Sequence, residues 1–328
     1  MKSQKKICIA GAGSIGTALG QILSNVKELD VTMLSIEEDV VNDINTLHIN
    51  RSYFPQIRLN SHLKATMDVQ VLSESEVIFL AMPSTAILPY IEEHLEIISP
   101  DAIIVNLAKG FAANNNTIIE ELQKTIPNPV CSLKGPTFAR EIINSMPTAM
   151  TVGASDIEVY HRLKDIFRNT TIYTDYSSDV TGVEILSILK NVYAIIIGIV
   201  DAHFNSPNLR FLIFTKAFDE MRELHTMTGG QLDTMFKYCG IGDFGLTSLN
   251  DLSRNRTLGL LIGKGFFTED ISGKVVLEGR VAVDIIMQKL RILEVDHENF
   301  FLLKELARIF DGNYDVKKFI SNLLKNER

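Results

Sequence analysis

Residues 7–19 read Ile-Cys-Ile-Ala-Gly-Ala-Gly-Ser-Ile-Gly-Thr-Ala-Leu: an apolar run enters a glycine-spaced turn and leaves as an amphipathic segment. Such a pattern requires a strand, a tight turn and a helix in immediate succession. Gly11 permits the turn, Gly13 lets backbone approach a pyrophosphate, and Gly16 lets helix and strand pack closely. The first N–H groups of the helix, including those of Ser14 and Ile15, then face the phosphates with the positive end of the helix dipole behind them. This pattern is expected to form an α/β sheet with a dinucleotide at its edge; the plainer alternative is a glycine-rich turn that binds nothing.

The rest of the first half alternates in the same sense. Strand candidates are 6–10, 31–34, 77–81, 102–106, 129–132, 148–153 and 171–173. Several are continuous apolar runs, as buried parallel strands require. Helical periods at 85–98, 117–125 and 157–167 lie between them. From residue 181 only helical periods remain, at about 181–200, 210–227, 231–238, 246–263, 280–293, 298–311 and 315–326. The expectation is a Rossmann-like doubly wound domain over 1–180 and an all-helical domain over 181–328, with a substrate beside the cofactor. A length of 328 residues suits two domains.

Charge and composition narrow the partners. The net charge of −8 argues against nucleic acid. Lys2, Lys5 and Lys6 precede an apolar run that breaks into glycines, so it reads as a strand and not a signal peptide. The longest apolar stretch, 192–200, is too short to span a bilayer. Cys8, Cys131 and Cys239 form neither a disulfide framework nor a zinc pattern and read as reduced thiols of a cytoplasmic protein. The seven histidines show no ligand spacing, so no metal site is expected.

Chemistry-bearing residues follow strand ends and helices. Lys109 follows the strand 102–106, beyond which ligands bind in open α/β sheets; a solvated charge is the plainer reading. Gly135-Pro136-Thr137 is a turn whose N–H groups and hydroxyl could hold a polyol or phosphate, with Ala139 starting a helix. Lys190 lies in an apolar helix, either snorkelling or desolvated and fit for acid–base work. A glycine-rich turn, 240–245, carries Asp243 and leads through Thr247 to Ser253-Arg254-Asn255-Arg256, a composition suited to a phosphate or to a solvated helix start. Glu37 stands about 20 residues past the fingerprint, where a carboxylate can accept from a ribose 2′-hydroxyl. Glu37, Glu38 and Asp39 with no nearby cation favour NAD over NADP; alternatively these acids only begin the next helix and favour its dipole.

Together these motifs resemble the NAD(P)-dependent glycerol-3-phosphate dehydrogenase family of bacterial type. The resemblance rests on Gly11 to Leu19, Pro83-Ser84, Lys109-Gly110, Gly135 to Glu141, Gly182-Val183-Glu184, Leu189 to Val192, Asn208 and Arg210, Gly240 to Asp243, Ser253 to Arg256 and Glu278-Gly279. It implies interconversion of dihydroxyacetone phosphate and sn-glycerol 3-phosphate with NAD, preferred, or NADP. It also implies a place in phospholipid biosynthesis, a cytoplasmic location and a possible homodimer. It assigns Lys190 to proton transfer, with Lys109 and Asp243 beside the chemistry. Lys109, Gly135, Thr137, Lys190, Asp243, Thr247, Ser253, Arg254 and Asn255 would contact the small phosphorylated substrate. Gly11, Gly13, Ser14, Ile15, Gly16, Glu37, Lys109, Ala139, Arg254, Val276 and Glu278 would contact the cofactor.

The chain departs from the family pattern at Lys134, where a serine is usual, at Leu186 and Ser187, and over 202–207. Lys134 is expected close enough to the substrate side to influence an anion. Three alternatives stand beside the main reading. A divergent paralogue would reduce another phosphorylated keto compound. A β-hydroxyacid dehydrogenase is disfavoured because Lys190 and Asn191 are adjacent and not one turn apart. A silent dinucleotide sensor is disfavoured because Lys109, Lys190 and Asp243 are all present.

Overall fold

The fold is given by a computed structural model, which describes residues 4–112, 115–266, 273–295, 299–312 and 315–325. The chain divides into two compact units, Met1–Glu184 and Ile185–Arg328.

The first unit is built on one eight-stranded sheet. Its strands are β1 (Lys5–Ala10), β2 (Leu29–Leu34), β3 (Lys64–Thr66), β4 (Val77–Leu80), β5 (Ile103–Asn106), β6 (Val130–Lys134), β7 (Thr148–Gly153) and β8 (Ile172–Ser177). The order across the sheet is β3-β2-β1-β4-β5-β6-β7-β8. All neighbours are parallel except β6 and β7. The first six strands therefore carry the doubly wound order, and the order reverses between β1 and β4. That reversal leaves a crevice at the carboxyl ends of the two strands, directly after Ala10 and Leu80.

Alternation places successive side chains on opposite faces. Ile7, Ile9, Phe79, Ile103 and Val105 enter one buried cluster. Cys8, Ala10, Ile78, Leu80 and Ile104 enter the other. Both faces are covered, so the strands are apolar throughout, as the sequence pattern implied. The sequence missed β3. Lys64-Ala65-Thr66 is three residues long with one buried side chain, too short to show a period, and only its pairing with β2 makes it a strand.

The described part of the second unit is helical. Its longest helix, Val180–His203, begins in the first unit. By length and composition this 24-residue helix could cross a membrane, although its longest uninterrupted apolar run is far shorter. In its most apolar window 94% of the residues are buried, which makes it a core helix. The helical period at 246–263 is two helices, Asp243–Leu249 and Arg254–Gly263, because Ser253 caps the second by accepting from Arg256 N. The segment 240–245 is likewise not an open glycine turn. A π-turn over Tyr238–Gly242 runs directly into the helix starting at Asp243. A side chain at Gly240 would overlap the Met235 carbonyl, so its glycine serves close packing there.

One buried acid ties this unit together. Glu220 accepts from the Tyr193 hydroxyl at 2.9 Å and from the N–H groups of Leu302 (2.8 Å) and Leu303 (3.3 Å), holding the start of helix Phe301–Phe310. Burial pushes its carboxyl up from 4.5 to about 7, and those three donors offset only part of that. The folded chain thus keeps a proton that the unfolded chain releases above pH 4.5. The stabilisation from the neutral acid is complete below pH 4.5 and declines as pH rises to about 7, by about 3 kcal/mol in all. Glu220→Gln keeps an acceptor but cannot ionise. Relative to wild type, the variant should gain thermal stability between pH 5 and pH 8. A stability difference that stays constant across that interval would show that Glu220 does not titrate in this way.

Candidate active site

Four loops leave strands β1, β2, β5 and β6 at the carboxyl edge of the first unit. After β1, Gly11 takes φ +116°, and a Cβ there would lie 2.5 Å from the Ala81 oxygen. A Cβ on Gly16 would overlap the Gly11 carbonyl. Both glycines are therefore required by the chain itself. Gly13 differs, since a Cβ there would meet only the Tyr53 ring, at 4.0 Å. Gly13 is the N-cap of helix Ser14–Leu23, with no side chain capping it. This is a cradle with room for a pyrophosphate against helical N–H groups, and a dinucleotide fits it. Ser14 is exposed and Ile15 half-buried at its rim.

Beyond β2, Glu37 is exposed and N-caps the short helix Glu38–Asn42, with its own N–H held by Ser35 Oγ at 3.1 Å. Beyond β5, Asn106 Oδ1 accepts from Ala108 N at 2.9 Å and sets the turn that presents half-buried Lys109. Gly110 follows because a Cβ there would meet Ser84 Oγ at 2.6 Å. Beyond β6, a Cβ on Gly135 would meet the Ala149 oxygen at 2.5 Å, and Thr137 Oγ1 donates to Gly135 O at 3.2 Å. Half-buried Ala139 opens the five-residue helix that follows.

Lys134 is where the chain departs from the family pattern. It is the last residue of β6 and fully buried, so it does not point to solvent. Its Nζ donates to Asn106 O at 2.9 Å and pairs with Glu184 at 3.0 Å. Glu184 also accepts from Asn106 Nδ2 (2.7 Å), Ser132 Oγ (2.6 Å) and Ile118 N (3.1 Å). Burial pulls the Lys134 ammonium pKa down, Glu184 pushes it back up, and the Lys109 charge lowers it further. Lys134 thus joins the exits of β5 and β6 beside Lys109. Local sequence gave no sign of this pair, whose members are 50 residues apart and meet only through the sheet order.

In the second unit Lys190 is 3% exposed and does not snorkel. Its Nζ donates to Asp243 Oδ1 at 2.5 Å and to Thr247 Oγ1 at 2.9 Å. Asp243 and Thr247 are one turn apart on helix Asp243–Leu249, so a single helix face presents both acceptors. This is a preorganised buried cation with a fixed partner, suited to giving and taking a proton.

The residues expected around a phosphate separate into two groups. Arg254 is exposed and Asn255 half-buried at the start of helix Arg254–Gly263. Arg256 instead turns inward. It is 7% exposed and bound to Asp201 at 2.8 Å and to Asp251. Arg210 meets the same Asp201 carboxylate at 2.7 Å. Arg256 is therefore a structural cation, because two carboxylates already hold its guanidinium. Ser253 is buried as the helix cap. Glu278 is exposed on helix Gly273–Ile292, and Val276 lies on that helix with its side chain outside the described residues.

Comparison with known proteins gives a consistent result. Family models for the N-terminus and the C-terminus of NAD-dependent glycerol-3-phosphate dehydrogenase match residues 6–160 and 179–321. A glycerol-3-phosphate dehydrogenase [NAD(P)+] from Agrobacterium fabrum is 32% identical over 98% of this chain and 97% of its own length. One from Methanothermobacter thermautotrophicus is 39% identical over 79% of this chain and 80% of its own. The crystal structure of glycerol-3-phosphate dehydrogenase from Coxiella burnetii superposes with a TM-score of 0.88 at 26% identity, covering 98% of this chain and 99% of that one. The β-hydroxyacid alternative gives way to these matches, which run through both units: the chain belongs to the NAD-dependent glycerol-3-phosphate dehydrogenase family.

Proposed function

We propose that the chain interconverts dihydroxyacetone phosphate and sn-glycerol 3-phosphate with NAD or NADP, and that Lys190 gives and takes the proton on the C2 oxygen. The observation that carries the reading is the buried Lys190–Asp243–Thr247 constellation, in a chain whose family and fingerprint call for a nicotinamide dinucleotide. When bound, the cofactor supplies the hydride that reduces C2 or accepts it in reverse. The chain supplies the proton and the geometry. In reduction the Lys190 ammonium gives its proton to the C2 oxygen, and in oxidation the neutral amine takes it back. Asp243 and Thr247 fix Nζ so that no reorganisation is needed when charge develops.

Around that step, Lys109, Gly135 and Thr137 are assigned to the substrate and Lys109 also to stabilising its developing negative charge. Arg254, Asn255 and Ser253 are assigned to the phosphate. Binding so far from the reacting carbon orients a three-carbon body and lowers the barrier through remote contacts. Gly11 to Gly16, Ala139, Arg254, Val276 and Glu278 are assigned to the cofactor, with Glu37 on the adenosine ribose. Three buried thiols, none in a disulfide, support a reducing compartment such as the cytoplasm.

Purified protein should oxidise NADH in the presence of dihydroxyacetone phosphate. Non-phosphorylated dihydroxyacetone should lose at least about 100-fold in kcat/KM, since it forfeits the charge-assisted phosphate contacts. Equal use of both ketones, or of neither, would remove this reading.

A further inference from the structure

The loop after the short helix beyond β2 returns over the glycine turn. Asn50, fully buried, donates from Nδ2 to Ala12 O and to Thr17 Oγ1, both at 2.9 Å. Tyr53, three residues on, supplies the ring closest to the space above Gly13. Arg51 lies between these two anchors on the fingerprint. It forms a bidentate pair with Asp43, Nε to Oδ2 at 2.7 Å and the second nitrogen to Oδ1. Asp43 lies four residues after Asp39, on the same helix face beyond the carboxyl end of β2. Asp39 adds to the negative field on the guanidinium. So the sequence expectation of three carboxylates without a nearby cation does not hold. An arginine stands within electrostatic reach of the last of them, Asp39, after a left-handed turn at His48 (φ +53°) that a linear reading cannot show.

The carboxyl end of β2 is where a dinucleotide's ribose 2′ position is read. A carboxylate there suits a hydroxyl and an arginine suits a phosphate. Here both residue types stand on the segment that follows that strand, bound to each other. The Arg51 side chain is 63% exposed while that of Asp43 is 9% exposed, so the fork is open to solvent and its partner is fixed. At its solvent-facing end such a pair is weakened by water and screened by salt. A phosphate with two charges and three acceptors can take such a guanidinium from a single carboxylate.

We propose that Arg51 and Asp43 form a selector for the cofactor's 2′ position. With a 2′-hydroxyl, Asp43 neutralises Arg51 and the site accepts NAD. With a 2′-phosphate, Arg51 turns to the phosphate and gives up its bond to Asp43. Asp43 therefore sets the penalty on NADP and Arg51 sets the relief. The inference rests on the dinucleotide reading of this unit.

Dissociation constants for NADH and NADPH on the full chain, measured by nicotinamide fluorescence, test the selector without turnover. Competition by adenosine 2′,5′-bisphosphate against adenosine 5′-monophosphate gives the same discrimination without nicotinamide. Arg51→Gln should weaken NADPH about tenfold, the scale of one exposed charge-assisted hydrogen bond, and leave NADH within about twofold. Asp43→Asn should strengthen NADPH by about the same factor with NADH unchanged. The readout is a ratio of two affinities on one folded protein, so Arg51→Gln carries the test even with Asp43 left unpaired, and even if Asp43→Asn proves unstable. Wild-type protein that binds NADH while Arg51→Gln leaves the NADPH-to-NADH ratio unmoved overturns the selector alone. Wild-type protein that binds neither nucleotide overturns the dinucleotide reading and the selector with it.

Discussion

Lys190→Ala is expected to lower kcat by roughly 10²–10⁴-fold, the span for removal of a general acid or base, while NADH affinity changes by less than about twofold. The second half of that expectation follows from the assignments. Lys190, held by Asp243 and Thr247, is assigned to the substrate oxygen, and the pyrophosphate to the glycine cradle. The alanine variant alone has a weakness as a test. It leaves Asp243, 1% exposed, without its ammonium, and an orphaned buried charge costs about 3–5 kcal/mol. Lower activity could then reflect lower folded population. The double variant Lys190→Ala with Asp243→Asn removes the orphaned charge. It should recover melting temperature without recovering kcat. If the double variant regains most of its turnover, Lys190 has only a structural duty and the proton goes elsewhere. Retention of most of kcat in the folded single variant leads to the same conclusion.

The contrast between Lys190 and Lys134 shows where local sequence stops being informative. Both lysines follow apolar residues, and both are buried in ion pairs. Nothing in either neighbourhood names the partner: Asp243 lies 53 residues on, and Glu184 lies 50 residues on. The first pairing was anticipated only because the motifs resemble a family. The second stands at a departure from that family and was missed. Arg256 repeats the lesson, since its motif suggests a phosphate fork while Asp201 and Asp251 already occupy it. What was legible is what depends on period and steric necessity. The continuous apolar strands announced a sheet covered on both faces, and the glycine spacing announced the turn at its edge. What was illegible depends on chain segments meeting across the fold: the three-residue β3, the π-turn before Asp243 and the return of Arg51 to Asp43.

Gly13→Val and Gly16→Ala should fail in opposite ways. Gly16 has no room, because a Cβ there overlaps the backbone oxygen of Gly11, which no side-chain rotation can relieve. Gly16→Ala should therefore cost about 3 kcal/mol of stability or more. Gly13 has φ −73° and ψ −172°, an extended conformation that valine adopts readily, and the contact of its new Cβ is the Tyr53 ring at an ordinary 4.0 Å. The cap makes no side-chain hydrogen bond, so Gly13→Val should change stability by no more than about 1 kcal/mol. Its branched side chain would fill the space where a pyrophosphate meets the first N–H groups of helix Ser14–Leu23. Losing two charge-assisted backbone hydrogen bonds corresponds to at least about a 100-fold loss of NADH affinity. Calorimetry and fluorescence titration on the same samples separate the two outcomes. A well-folded Gly13→Val protein that binds NADH as tightly as wild type would falsify the placement of the pyrophosphate on this turn. The glycine spacing would then serve helix–strand packing alone.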